Sequence, residues 1–454
     1  MKNSRKMNNL KRLFLITALL AFATAGAQTT PAGQLSLQQA VDFAKKNNPN
    51  LQNADLDVKI AKQQVNEVAS AGLPQISASV DYTGNPQIAT TVVPNFINPG
   101  QGPATLEFQM GISHTLSGKI NANWLLLDGT YFLGLKAATQ YVSMASLVRA
   151  NTAVETEINV TKAYYLALIA DESDVLIQSN IDALQKTYDD TKALYETGFV
   201  EEIDKQRLEL QLSNLKTQQT RIKDQKEISY RILKFQMGMK LDSNVVLSDS
   251  LLGLISKVTP LSASDSIQYD ARPEYRILQQ QTVLNLLNTR RYQFGYLPSL
   301  SAFGSHQQNS FALKDNFSEL GTKFYGGTTW GLSLKIPIFD GMYKHSLIQQ
   351  TRLESLKTQN ELFNLERAIE NDVFQSKRNY LTALKAYEDQ NKNYELAKHI
   401  RDIANTKQEQ GVGSSLEVTN ANNDLKTAEN NYLTAIYDLL VAEVNYKKAL
   451  GKIQ

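Results

Sequence analysis

Apolar side chains recur every seven positions over long reaches of this chain. Leu147, Val154, Thr161, Leu168 and Val175 form one such series, with Ile158 and Tyr165 interleaved; Val373, Tyr380, Tyr387 and Tyr394 form another. A strict seven-residue repeat predicts helices joined along a left-handed supercoiled seam. Residues 130–197 and 342–410 contain no proline and one glycine, Gly134. Helices of that length are rods of about 100 Å at 1.5 Å per residue. Turns are predicted at Gly198 and at Gly411 and Gly413, and shorter helices return to Gly238 and Gly451. The seams are only partly filled by tyrosine and alanine, with Gln, Asn and Thr beside them. A solid bundle and a wall around a wet interior both fit this pattern.

Elsewhere the period changes to two. Ile76, Ala78, Val80 and Tyr82 share one face of 72–84, and Leu116, Ile120, Ala122, Trp124 and Leu126 one face of 112–126. Trp330, Leu332, Leu334, Ile336 and Ile338 alternate with Thr329, Gly331, Ser333 and Lys335. One-sided alternation predicts half-buried strands. A polar face that includes Lys and Asn suits strands with lipid on one side and a wet lumen on the other. Residues 35–71 read as helical, with a break at Asn47-Asn48-Pro49.

These elements are written twice. Asn48-Pro49 and Leu73-Pro74 answer Arg272-Pro273 and Leu297-Pro298; Asp128-Gly129 answers Asp340-Gly341; Glu196-Thr-Gly198 answers Glu409-Gln-Gly411; Gly238 answers Gly451. The order is kept and one insertion, placed in the Pro/Gly/Asn-rich stretch 85–103 and expected as a loop, reconciles the offsets. The chain therefore divides into a first repeat, 28–238, a linker, 239–260, and a second repeat, 261–454. Each repeat runs helices, two strands, then a long helical hairpin.

Charge and composition narrow the picture. Residues 1–12 hold Lys2, Arg5, Lys6, Lys11 and Arg12 and no acid, and an apolar run from Leu13 closes on Ala25-Gly26-Ala27. This is the pattern of a secretory signal peptide over 1–27, the apolar run being shorter than the roughly 20 residues that span a bilayer. The formal net charge of +2 comes from 47 basic and 45 acidic residues. Without the five basic residues of the leader the balance is 42 minus 45, or −3. With no basic block, nucleic acid is not an expected partner. The chain has no cysteine, hence no disulfide, thiolate ligand or thiolate nucleophile. His114, His306, His345 and His399 are scattered without a metal-ligand spacing, and Gly411-Val-Gly-Ser-Ser lacks the Gly-Lys-Ser/Thr ending of a phosphate loop. No enzyme site, metal or cofactor is expected.

An open sheet edge is not tolerated in lipid, where its backbone groups go unsatisfied. Four strands per chain cannot close a barrel. Two chains would supply eight strands and three would supply twelve, and only the larger ring leaves a lumen. If the strands cross a membrane, the chain is a homo-oligomer.

The opening Leu35-Ser-Leu-Gln-Gln-Ala-Val, Asn48-Pro49, Gly72-Leu-Pro-Gln-Ile-Ser, the strand ends Leu127-Asp128-Gly129 and Phe339-Asp340-Gly341, and the two Gly-turns together resemble the TolC-like outer membrane efflux protein family across essentially the whole chain. The resemblance implies a mainly α fold with a small β part: a trimeric 12-stranded outer-membrane β-barrel, four strands per chain, continuing into a periplasmic α-helical coiled-coil barrel. Residues 239–260 would lie in its equatorial region. It implies a homotrimer in outer-membrane lipid, docked to a periplasmic adaptor and an inner-membrane RND or ABC-type transporter, serving a tripartite efflux pump or a type I secretion system. The adaptor-docking turns would be Gly198, Phe199, Val200, Gly411, Val412 and Gly413. The family's constriction carries acidic residues at the positions of Glu417 and Asn420, here one carboxylate and one amide, with Asp204 nearby. Three Glu417 carboxylates on a threefold axis would favour cations. The plainer alternative makes Glu417 and Asp204 helix-start residues favoured by the helix dipole. The rival function is a non-conducting structural coiled-coil protein of the cell envelope.

Overall fold

The stretches without proline form the longest elements because nothing in them interrupts the i→i−4 ladder. The computed structural model describes residues 34–97, 102–258, 267–313, 316–410 and 412–453. Residues 1–27, expected as a leader, lie outside them. In chain order the elements are β1 (Gln34–Leu35), α1 (Leu37–Asn47), α2 (Pro49–Ser70), β2 (Gln75–Gly84), β3 (Thr90–Pro94), β4 (Thr105–Gln109), β5 (His114–Leu127), α3 (Gly129–Glu196), α4 (Glu202–Met237), β6 (Val246–Leu247), α5 (Leu251–Ile255), α6 (Pro273–Phe294), β7 (Ser299–Ala312), β8 (Tyr325–Lys335), α7 (Tyr343–Glu409) and α8 (Ser415–Ala449). None of these helices is long and apolar enough to cross a membrane.

The chain forms two spatial units, both drawn from both halves of the sequence. One unit comprises Asp55–Arg149 and Pro273–Arg367 and contains a four-stranded antiparallel sheet in the order β2-β5-β7-β8. Its register aligns the alternation of every strand. Ile76, Ala78, Val80 and Tyr82 of β2 lie opposite Ala122, Ile120, Gly118 and Leu116 of β5, and Ala302 of β7 opposite Leu332 of β8. One face is thus apolar along its helix-proximal length. The other carries Ser77, Ser79, Lys119, Asn121, Gln307, Asn309 and Ser333. Among the described residues nothing covers the apolar face: Val80 is 77 % and Trp330 83 % exposed. β2 and β8 are the edge strands, with no further strand partner among the described residues.

Three expectations change here. The apolar alternation continued to Ile338, but β8 ends at Lys335, because Pro337 has no N–H to give the ladder. The stretch 85–103, expected as a loop, carries the strand β3, which pairs with β4 just beyond it from Thr90↔Gln109 to Pro94↔Thr105. Leu35, expected in a helix, pairs instead with Leu247 in the short parallel β1–β6 ladder.

The other unit comprises the described residues up to Ala54, Ala150–Arg272, and those from Ala368 onward. Its core joins Val154, Ile158, Tyr165 and Leu168 of α3 to Leu233 and Met237 of α4, Ile436 and Leu440 of α8, and Val41 of α1. Residues 239–258 pack into that core through Met239, Val245, Leu251 and Leu254. Ser36 starts α1 with a reciprocal capping box to Gln39. Asn48 turns the chain between α1 and α2, its Oδ1 accepting from the Asn50 and Leu51 amides and its Nδ2 donating to the Gln236 carbonyl at 2.7 Å.

The seven-residue seam does not run the full length of α3. Val154, Thr161 and Leu168 are buried, but Val175 is 65 % exposed, and burial passes to Ile177, Ile181 and Leu184. An α-helix drifts about 20° per heptad against a strict repeat. The seam therefore shifts two residues where α3 leaves one core for the next. In α7, Val373 and Tyr380 are buried, while Tyr387 and Tyr394 stack on Tyr432 of α8 at interplanar angles of 27° and 8°.

Candidate functional site at the helical turns

The turn between α3 and α4 follows from Gly198, whose φ of +83° is the left-handed conformation glycine adopts without cost. The Gly198 amide donates to the Tyr195 carbonyl and the Phe199 amide to the Leu194 carbonyl, each at 2.9 Å, closing the end of α3. Phe199 is left 80 % exposed at the tip and Val200 half-buried. Glu202 and Asp204 occupy the first turn of α4, where the helix dipole favours carboxylates.

The turn between α7 and α8 uses different chemistry. The amides of Val412 and Gly413 both donate to the Lys407 carbonyl at 3.0 Å, and Ser414 caps α8 by accepting from the Glu417 amide at 3.2 Å. A Cβ at Gly413 would lie 2.8 Å from the Gln408 backbone nitrogen, so the close approach requires glycine. Val412 is 76 % exposed. Gly411 lies outside the described residues.

The two turns lie together. Ser415, buried at the start of α8, donates its hydroxyl proton to the Asp204 carboxylate at the start of α4. Gln408 of α7 donates to Thr191 of α3 at 3.2 Å. Glu417 is exposed and its carboxylate accepts from Lys407 of the same hairpin at 2.8 Å. Asn420, three residues further on, is exposed. Of the expected aperture residues, Asp204 is engaged by Ser415 and Glu417 by Lys407. Neither Lys407 nor Ser415 was singled out from the sequence. Their partners stand 10 and 211 positions away, and no local pattern links them.

The hairpins are packed unequally. Below the first turn, Ile177, Ile181, Leu184, Leu208, Leu212 and Leu215 form an aliphatic core. Below the second lie Ala404, Val418 and Ala421, then Ala397, Leu425 and Ala428, mostly alanines. Burying fewer methylenes, at about 0.8 kcal/mol each, leaves the α7–α8 tip the more weakly held. Between α3 and α7 near the turns runs a groove of about 720 Å³, lined among others by Thr187, Leu194, Arg401 and Asn405. The side-chain oxygens of Asn405 and Gln408 are buried without a hydrogen-bond partner.

Farther from the turns, Glu429 of α8 is buried and accepts from the Asn180 amide at 2.7 Å. Burial pushes its carboxyl pKa up, opposed in part by the Asn180 hydrogen bond and by Arg401. Burial, with Tyr387 beside it, pushes the Tyr432 phenol to about 12. Among the described residues no group of three or more His, Cys, Asp or Glu side chains could hold a metal ion.

An α-hairpin pair with a polar seam, on a chain that also carries a sheet with one uncovered apolar face, points to a membrane channel. The model of the outer membrane efflux protein family matches residues 40–238 and 292–452. The chain belongs to that family. It is an outer-membrane protein of the efflux-channel class. The outer membrane protein TolC of Vibrio cholerae is 23 % identical over 98 % of this chain and 96 % of its own length. TolC of Escherichia coli K12 is 21 % identical over 97 % of this chain and 86 % of its own. Among solved structures, CusC aligns with a TM-score of 0.71 at 16 % identity, covering 91 % of each chain. The Campylobacter jejuni CmeC outer membrane channel aligns at 0.68 and 17 %, covering 91 % of this chain and 85 % of its own. At such identities these structures establish the fold: mainly helical, with a small sheet, as in the TolC-like channels.

Proposed function

We propose that this family member is the passive exit duct of a tripartite efflux pump or type I secretion system. The observation that carries the proposal is the sheet: one face apolar and uncovered, the other polar, and both edges unpaired. β2 and β8, of 10 and 11 residues, match the roughly 9–11 residues that a tilted strand needs to span a bilayer. Edges in lipid must be closed by further copies. Three copies give twelve strands around a polar lumen, whereas eight strands would be filled by side chains. The helical hairpins extend into the periplasm.

The turns at Gly198, Phe199 and Val200 and at Gly411, Val412 and Gly413 receive the periplasmic adaptor. The exposure of Phe199 and Val412 supports this role. Glu417, with Asn420 and Asp204, lines the aperture, closed at rest and opened when adaptor contacts separate the hairpins. Energy comes from an inner-membrane RND or ABC-type transporter. Residues 1–27 are the cleaved export signal, and 28–238 and 261–454 are repeats joined by 239–260.

The test is reconstitution of the full chain. We expect heat-modifiable trimers that form ion-conducting pores in planar bilayers. A water-soluble monomer that leaves bilayers silent would sink the proposal.

A further inference from the structure

The register of the sheet also places its charges. Every Lys, Arg, Asp and Glu of its four strands lies on the polar face: Asp81 on β2, Lys119 on β5 and Lys335 on β8. All three are exposed. Ser79 stands opposite Lys119 and Asp81 opposite Ser117, so Asp81 and Lys119 are diagonal neighbours. Such neighbours lie about 7–8 Å apart, and at that distance their charges largely cancel for anything in the lumen. Lys335 has no acid beside it on this face. It ends β8 opposite Ser299, the first residue of β7, in line with Ser333 opposite Ser301.

A second cation stands where this face meets the helices. Leu125, which pairs with Ser301 on the polar face, borders a cavity of about 640 Å³ together with Asp128, Arg291, Tyr343 and Lys344. The acids there are engaged. Asp128 caps α3: its Oδ1 accepts from the Thr130 amide at 2.7 Å, the Thr130 hydroxyl and the Tyr131 amide at 3.1 Å, where the helix dipole counters its charge. Asp340 is paired with Lys344 at 2.9 Å. Arg291, in the last turn of α6, has only neutral company. Its guanidinium lies 5.2 Å from the centre of the Tyr292 ring and donates to the Tyr292 hydroxyl at 3.3 Å. Among the described residues neither Arg291 nor Lys335 has a carboxylate within ion-pair range. Arg291 is half-buried, so it is partly desolvated without an anion.

We propose that the junction of strands and helices is an anion-selecting collar, in which Lys335 and Arg291 draw small carboxylate- or phosphate-bearing solutes into the barrel. Rings of Lys or Arg select anions in pores. The guanidinium of Arg291 presents a planar fork of donors to carboxylate or phosphate oxygens, and its cavity gives the solute a resting place on the lumen wall. The inference rests on the reading of the chain as a ring of three, which repeats each cation three times around the lumen.

The test measures reversal potentials of the full chain in planar bilayers, under a potassium chloride gradient centred on about 0.1 M. Three unit charges about one Debye length from a permeating ion change its partition roughly twofold, in opposite senses for anion and cation. Lys335→Gln and Arg291→Gln should therefore each lower the chloride-to-potassium permeability ratio about fourfold. Arg291→Lys, which keeps the charge, should keep the parent ratio, a rescue that a packing role would not produce. Lys335 is exposed, so its variant decides the matter even where Arg291→Gln fails to assemble. At about 1 M salt, where the Debye length falls to about 3 Å, the differences should vanish. The shifts should persist when Glu417→Gln is already present. Shifts that disappear in that background would place the effect at the helical turns and overturn the collar, as would ratios that stay unchanged or rise. Pores indifferent to both residues refute the collar alone. A chain that forms no pores refutes the channel reading beneath it.

Discussion

The ammonium of Lys407 lies 2.8 Å from the carboxylate of Glu417, across the turn that joins α7 to α8. The acid proposed for the aperture is therefore countered by a base from its own hairpin. Both side chains are about half exposed, so the pair contributes under about 1 kcal/mol to stability. Its effect belongs to permeation. Lys407→Gln should raise cation selectivity in planar bilayers, Glu417→Gln should lower it, and neither should shift the melting temperature by more than a few degrees. An unchanged reversal potential in both variants would remove Glu417 from the aperture.

The Ser415–Asp204 hydrogen bond ties the starts of α8 and α4. A hydrogen bond to a charged acceptor contributes about 1.5–3 kcal/mol. Ser415→Ala should therefore raise the open-to-closed ratio of single channels by at least about tenfold, and Asp204→Asn, which keeps an acceptor oxygen, should raise it less. Equal open probability in the parent and Ser415→Ala would show that this contact does not hold the tip shut.

Leu332 and Ser333 are neighbours on β8 facing opposite ways. An arginine on the lipid side of a barrel costs about 2–4 kcal/mol near the bilayer midplane, and little in a wet lumen. Leu332→Arg should reduce the yield of membrane-inserted, heat-modifiable oligomer, and Ser333→Arg should leave it near the parent level. The reverse order would mean that the sheet faces have been assigned the wrong way round.

Gly238 and Gly198 both have positive φ, +71° and +83°, but differ in surroundings. A Cβ at Gly238 would sit 2.4 Å from the Asn47 carbonyl oxygen, a backbone atom, whereas nothing lies within 4 Å of one at Gly198. Gly238→Ala should cost about 3 kcal/mol and Gly198→Ala about 1 kcal/mol, measured by denaturant unfolding of the helical signal.

Glu429 has its carboxyl pKa raised by burial. The folded state then binds more protons than the unfolded one between the two pKa values. Its contribution to stability is full below the unfolded value and is lost as pH rises through the folded one. Glu429→Gln removes that loss and keeps an acceptor for Asn180. The variant should melt above the parent at neutral pH, and the gap should close as pH falls toward about 4, the ordinary glutamate range. A gap that widens on acidification would contradict the burial of this charge.

Much of the fold was legible because long-range order here repeats a local rule. The absence of proline marks α3 and α7 to within a residue or two, and alternation from Ile76 to Tyr82 marks the apolar side of β2. Legibility ended where geometry accumulates. Each heptad misplaces the seam slightly, so Val175 fell off it while Val154 did not. The β3–β4 hairpin was hidden by the prolines and glycines around it, although Thr-Thr-Val-Val and Thr-Leu-Glu-Phe are β-branched or alternating strand signals. At the turns, the glycines and Glu417 were visible as motif positions. Lys407 and Ser415, which decide whether those charges are free, were not, because pairing across a hairpin has no sequence period.

The two unpaired edges have a genetic consequence. If β2 of one copy must meet β8 of the next around the proposed ring of three, the fraction of rings free of a faulty chain falls as the cube of the normal fraction. A variant that folds well enough to join the ring but cannot open should therefore be dominant. One whose edge strand fails to form never enters a ring and should be recessive.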